Sequence, residues 1–115
     1  ISSIAGIETT DAPIPYSVAK SALNSYVKNI SKPLANFGIR INAVAPGNIL
    51  FKDSIWEKKL AKNKTKVLDM ISKKVPMNRF GTSDEIASVV TFLSSPLSSF
   101  TTGNILIADG GQVKS

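Results

Sequence analysis

Tyr16 and Lys20 stand four residues apart, with only Ser17, Val18 and Ala19 between them. On a helix that spacing projects both side chains from one face about one turn apart, so a phenol and an ammonium can meet the same ligand. An ordinary tyrosine, with a pKa of about 10, exchanges protons poorly at neutral pH unless its anion is stabilised. A fixed ammonium at roughly 4 Å and an effective dielectric of about 20 contributes about 4 kcal/mol, enough to bring a phenol towards the working range. Ser2 and Ser3 follow Ile1 on a segment that reads as a strand running out into a loop. A neutral hydroxyl there, above the carboxyl end of a sheet, could hold a carbonyl oxygen in place. A Tyr and a Lys at this spacing more often form a packed ring and a solvated amine, so the chemistry rests on what surrounds them.

The chain contains neither histidine nor cysteine. That removes the commonest general base, zinc-thiolate sites, disulfides and thiol nucleophiles, and no metal site is expected. Proton transfer must therefore use Tyr, Lys or carboxylates. With 115 residues, 43% hydrophobic and 19% charged, the composition is that of one small packed domain. No apolar run is long enough to span a membrane and no signal peptide opens the chain, so an intracellular, cytoplasmic protein is expected. The chain starts on Ile1 rather than methionine and reads as a piece of a longer one.

The elements that must position these residues follow from periodicity. Pro13 and Pro15 precede a helical pattern through Val18, Ala19, Ala22, Leu23, Tyr26, Val27 and Ile30. It ends near Phe37 and Gly38, with a break or kink expected at Pro33. Ile39 to Ala45 alternates, with Ile39, Ile41, Ala43 and Ala45 on one side, and predicts a strand halted by Pro46 and Gly47. In residues 52–74, Ile55, Trp56 and Leu60, then Val67, Leu68 and Ile71, predict two short amphipathic helices broken near Asn63. Thr82 with Glu85 three residues on forms a capping box for a helix with the stripe Ile86, Val89, Val90 and Leu93. Asn104 to Ala108 reads as a buried strand before the Gly110–Gly111 turn. Strands separated by helices pair in parallel, so the fold class is α/β.

Eight of the twelve lysines (Lys52, Lys58, Lys59, Lys62, Lys64, Lys66, Lys73 and Lys74) crowd into residues 52–74 against three carboxylates, placing a net +5 of the chain's +6 there. Such a surface can steer an acidic partner or remain a solvated helix face. One tryptophan and no interleaved aromatics argue against nucleic acid, and a membrane-surface role is not expected.

Five segments, "ISSIAG", "YSVAKSAL", "IRINAVAPGNI", "RFGTSDEIASVVTFLSS" and "TGNILIADGG", occur in this order across nearly the whole chain. Together they resemble the carboxyl-terminal half of the short-chain dehydrogenase/reductase family, most of all its 3-oxoacyl-acyl-carrier-protein reductases. The resemblance implies that residues 1–115 form the later part of a Rossmann-type doubly wound parallel sheet with flanking helices, with residues 52–74 as a helical substrate flap. It implies an oxidoreductase that reduces a carbonyl or oxidises an alcohol with NADP or NAD. Tyr16 would be the general acid/base, Lys20 would hold the nicotinamide ribose hydroxyls and lower the tyrosine's pKa, and Ser3 would orient the substrate oxygen, Ser2 being one residue off register. Pro46, Gly47 and Ile49 match the turn whose backbone meets the nicotinamide carboxamide. Asn48 and Trp56 join Ser3 and Tyr16 as expected substrate contacts.

The resemblance also places a carrier-protein or coenzyme A thioester among the expected partners, in fatty acid biosynthesis, and implies a homotetramer or dimer through the Tyr16 helix and the Asp109–Gly111 strand end. Another alcohol or sugar as substrate, or a non-catalytic remnant of the fold, are the alternatives; retention of Ser3, Tyr16 and Lys20 speaks against the remnant. Two departures stand out. Phe51 occupies a position where the family often carries a threonine that meets the cofactor. No Gly-rich phosphate turn between strand and helix occurs among the 115 residues, so this chain alone is expected to be inactive.

Overall fold

The computed structural model describes residues 1–114. Four α-helices and four short strands follow one another as α1 (Ile14–Ala35), β1 (Ala43–Pro46), β2 (Ile49–Leu50), α2 (Ile55–Lys62), α3 (Lys64–Lys74), β3 (Gly81–Thr82), α4 (Ser83–Ser94) and β4 (Ile105–Ala108). β1 pairs with β4 and β2 with β3, both in parallel, so the α/β architecture read from the sequence is the one observed.

β1 is shorter than the alternating pattern predicted. Residues 39–42 are not in the ladder; Ile41 accepts from the Gly103 amide and donates to the Thr102 hydroxyl instead. Within the strand Ala43, Val44 and Ala45 are consecutively buried, the last completely. Burial without alternation belongs to a strand covered on both faces, as parallel sheets require.

The opening residues lie on the other edge of β1 from β4. The Ser2 amide donates to the Val44 carbonyl at 2.7 Å. The next donor on that edge of β1 would be residue 46, a proline without an N–H, and among the described residues no second rung follows. The expected buried strand end is therefore a single-bonded extension, with Ile1 exposed.

α1 corrects two expectations. It runs unbroken through Pro33, because that proline falls in the last turn, where it removes only the donor for the Asn29 carbonyl. Its expected apolar stripe is only partly buried: Val27 is in the core, Leu23 and Ile30 are half-buried, and Val18 and Tyr26 face solvent. The helix packs mainly on a short 3-10 turn at Ile4–Gly6, which covers one side of it.

The two helices predicted within residues 52–74 form, broken at Asn63. Ser54 caps α2 by accepting from the Glu57 amide, and Asn63 both ends α2 and caps α3 through the Lys66 amide. Val67, Ile71 and Val75 bury its inner side. Thr82 and Glu85 form the reciprocal capping box of α4. Arg40 clamps the far end of that helix, donating to the carbonyls of Leu93, Ser95 and Thr101 and to the Ser98 hydroxyl. A guanidinium near helix-end carbonyls gives those acceptors a charged donor.

Candidate active site

α1 places Tyr16 and Lys20 one turn apart, as their spacing demands. The Lys20 ammonium lies 5.5 Å from the centroid of the Tyr16 ring. One of its protons goes to the Ile1 carbonyl at 2.9 Å, which leaves two donors for a ligand. The Tyr16 ring is about half exposed, open to an incoming substrate.

Lys20 thus joins Tyr16 to the segment that carries Ser3, two residues after the carbonyl it grips. Between the two candidate serines the structure discriminates. Ser2 is buried against β1, whereas Ser3 is partly exposed and caps the Ile4–Gly6 turn. The Ser3 Oγ accepts from the Ala5 amide at 3.2 Å. Its own hydrogen stays free to be donated to a carbonyl oxygen.

The Gly47–Ile49 segment leaves the carboxyl end of β1, where open α/β sheets bind ligands. Gly47 is required by close packing: a Cβ there would sit 2.7 Å from that of Asp109. The register pairs Ile49 with Gly81, and the Gly81 amide donates to the Asn48 carbonyl. In a parallel ladder that turns the backbone groups of Ile49 itself away from β3. They fit the carboxamide contact expected of this stretch, and Lys20's two spare donors fit ribose hydroxyls. Asn48 is engaged elsewhere, its amide donating to Gln112 at 2.7 Å. Trp56 packs against Phe80 with the rings tilted by 53° and their centroids 5.5 Å apart, and the Lys59 ammonium lies 4.6 Å from the centroid of the Trp56 ring. Phe51 is exposed and offers no hydroxyl.

A separate cavity of about 180 Å³ opens near Asn48, Ile49, Arg79, Glu85 and Asp109, away from Tyr16 and Lys20. Its charged side chains already have partners. Arg79 and Glu85 pair at 2.6 Å, and the Asp109 carboxylate accepts from the Gly111 and Val113 amides. The Arg79 guanidinium and the Thr82 amide hold the Glu85 carboxyl down at about 2. Neither Tyr16 nor Lys20 lines this cavity.

The family model described as enoyl-(acyl carrier protein) reductase matches residues 1–112. The chain belongs to the short-chain dehydrogenase/reductase family. The isoepoxydon dehydrogenase of Aspergillus clavatus is 39% identical over 102 residues, which are 86% of this chain and 38% of that protein. The 3-oxoacyl-[acyl-carrier protein] reductase of Brucella melitensis, solved with bound NAD, has 30% identity and a TM-score of 0.83, over 99% of this chain and 39% of its own. The L-sorbose reductase of Gluconobacter frateurii, solved with NADPH and L-sorbose, has 28% identity and a TM-score of 0.89, over 99% and 46%. The chain spans about two fifths of the length of the curated relatives it matches. Among the described residues no helix is long and apolar enough to cross a membrane.

The sequence singled out Ser3, Tyr16, Lys20 and the Pro46–Ile49 turn as candidates, but not the contacts that join the Ser3 loop to α1. Gly6, Ser21 and Asn24 join the Ser3 loop to α1, and only Gly6 left a signal, as one glycine in a small-residue loop.

Proposed function

We propose that this chain supplies the proton-transfer half of an NAD(P)-dependent oxidoreductase that interconverts a carbonyl and an alcohol, with a 3-oxoacyl thioester as the substrate class. The single observation that carries this reading is the Lys20 ammonium, held between the Tyr16 ring and the Ile1 carbonyl with two donors unspent. The bound nicotinamide supplies or accepts the hydride. Ser3 donates its free hydrogen to the carbonyl oxygen and fixes its position. Tyr16 gives that oxygen a proton as the carbonyl carbon is reduced, or takes it back in the reverse direction. Lys20 holds ribose hydroxyls and keeps a positive charge beside the phenol. Pro46 ends β1 so that the backbone of Ile49 meets the carboxamide, and Trp56, within the flap, meets the substrate.

The relatives include both a 3-oxoacyl thioester reductase and a sugar reductase. The lysine-rich flap favours the thioester, whose carrier is acidic, and electrostatic steering of this kind fades with salt. Assays of the longest natural form of the protein containing this segment should show reduction of a 3-oxoacyl thioester with KM rising as ionic strength rises. A preference for a neutral ketose, or no salt dependence, would remove the thioester assignment. The 115 residues by themselves lack a phosphate-binding Gly-rich turn. Added NADPH should therefore give them no tight, saturable fluorescence change, and such a change would refute their dependence on a further segment.

A further inference from the structure

We propose that Gly6, Ser21 and Asn24 form a clamp that sets the distance between the Ser3 loop and the Tyr16–Lys20 face of α1; they are positioning residues for the site, and the inference rests on the proton-transfer reading given above. The Gly6 carbonyl accepts two side-chain hydrogen bonds, from the Ser21 hydroxyl and the Asn24 amide, each at 3.1 Å. Both donors lie on α1 in the turn after Lys20. Gly6 also touches that helix directly: a Cβ on it would come within 2.6 Å of the Lys20 backbone carbon and 2.8 Å of its Cβ. The obstacle is backbone rather than a movable side-chain tip, so only glycine allows the loop to seat at this depth. Ser3 heads the same turn, its Oγ bonded to Ala5, one residue before Gly6. Moving Gly6 therefore moves Ser3.

Asn24 shows that the contact is specific. It is buried, and its Oδ1 has no hydrogen-bond partner. Burying an amide with one end unsatisfied is unfavourable, and an apolar residue would fill the same space without that penalty. What an apolar residue could not do is hold the Gly6 carbonyl. The same carbonyl grips the helix one turn past Lys20 while the Lys20 ammonium grips the Ile1 carbonyl on the opposite side of Ser3. Ser3 is thus fixed from both flanks to the helix that carries the proton donor.

The test compares Gly6→Ala, the double variant Ser21→Ala/Asn24→Leu, and Ser21→Thr, which keeps the hydroxyl, in the longest natural form of the protein. A misplacement of about 1 Å at a reacting group can lower turnover about 100-fold, so Gly6→Ala should lose about that factor in kcat. The double variant should lose about tenfold, with KM for the nicotinamide cofactor unchanged because Lys20 and the Gly47–Ile49 turn are untouched. Ser21→Thr combined with native Asn24 should retain turnover. Unchanged kcat in the folded double variant would overturn the proposal, as would equal losses in kcat and cofactor affinity, which mark general loosening. NMR of the same variants separates this proposal from the functional reading. If the native protein reduces no carbonyl, the functional reading fails, and the clamp is then judged on whether the double variant shifts the amides of residues 3–7 together with the Tyr16 ring protons. A joint shift supports it, and ring signals that stay in place refute it.

Discussion

At the residue scale the site is a matter of which donors remain unspent. Ser3 accepts a capping bond yet keeps its hydrogen, and Lys20 spends one proton on Ile1 and keeps two. These are statements about hydrogen-bond capacity, and they predict distinct kinetic signatures. On the proposed roles, Ser3→Ala should lower kcat strongly while sparing cofactor affinity, because the hydroxyl meets the Ala5 amide and the reacting oxygen but not the cofactor. Lys20→Met should raise KM for the cofactor as well, because the ribose donors go with the charge; steady-state kinetics of the two variants separates the roles, and matching profiles would contradict the assignment. Spacing put Tyr16 and Lys20 on one helix face because a helix repeats every turn, but their candidacy for chemistry rested on the segments around them. The choice between Ser2 and Ser3 was not, since it depends on which side of the chain faces β1, and that is set by the single Ser2–Val44 bond.

At the scale of elements, local rules read the chain well wherever the partner lies close in sequence. The Asn63 break in the flap and the Thr82–Glu85 capping box are of this kind. Where the partner is distant, the rules ran short. Arg40 lies within the stretch from Ile39 to Ala45 that predicted a strand, yet it crosses more than fifty residues to bind the end of α4. Removing it takes the charged donor from the carbonyls of Leu93, Ser95 and Thr101, to which only Ser98 and Asn42 then donate, so Arg40→Ala should destabilise the fold by about 2 kcal/mol, measurable by urea unfolding. A loss near zero would show that water replaces the guanidinium. The start of α4 makes a pH prediction. Glu85 lies below its ordinary value of 4.5, at about 2, chiefly because of Arg79. A depressed carboxyl binds fewer protons folded than unfolded, so its contribution is complete above about 4.5 and is lost as pH falls towards about 2. The pair is solvent-exposed, which keeps the effect small. Thermal unfolding across that window should decline less steeply in Glu85→Gln than in the native chain, and parallel curves would contradict the ion pair's role.

At the scale of the whole molecule, the exposed apolar side chains mark what the described residues do not cover. Ile14, Val18 and Tyr26 on α1, and Leu97 and Phe100 beyond α4, are all largely open to solvent. Periodicity marked the α1 stripe as apolar, yet only Val27 of it is buried, with Leu23 and Ile30 half-buried. The sheet tells the same story, because β1 is buried on both faces although it has few ladder partners here. Fold class was therefore legible from the alternation of strands and helices, while the strand limits depended on a neighbouring segment and on Pro46. The central claim, that Tyr16 moves the proton while Lys20 and Ser3 hold its surroundings, is tested most directly by Tyr16→Phe in the longest natural form of the protein. The variant should lose about 10²- to 10⁴-fold in kcat for carbonyl reduction while its affinity for the nicotinamide cofactor stays within about twofold. Turnover close to that of the native protein would contradict it.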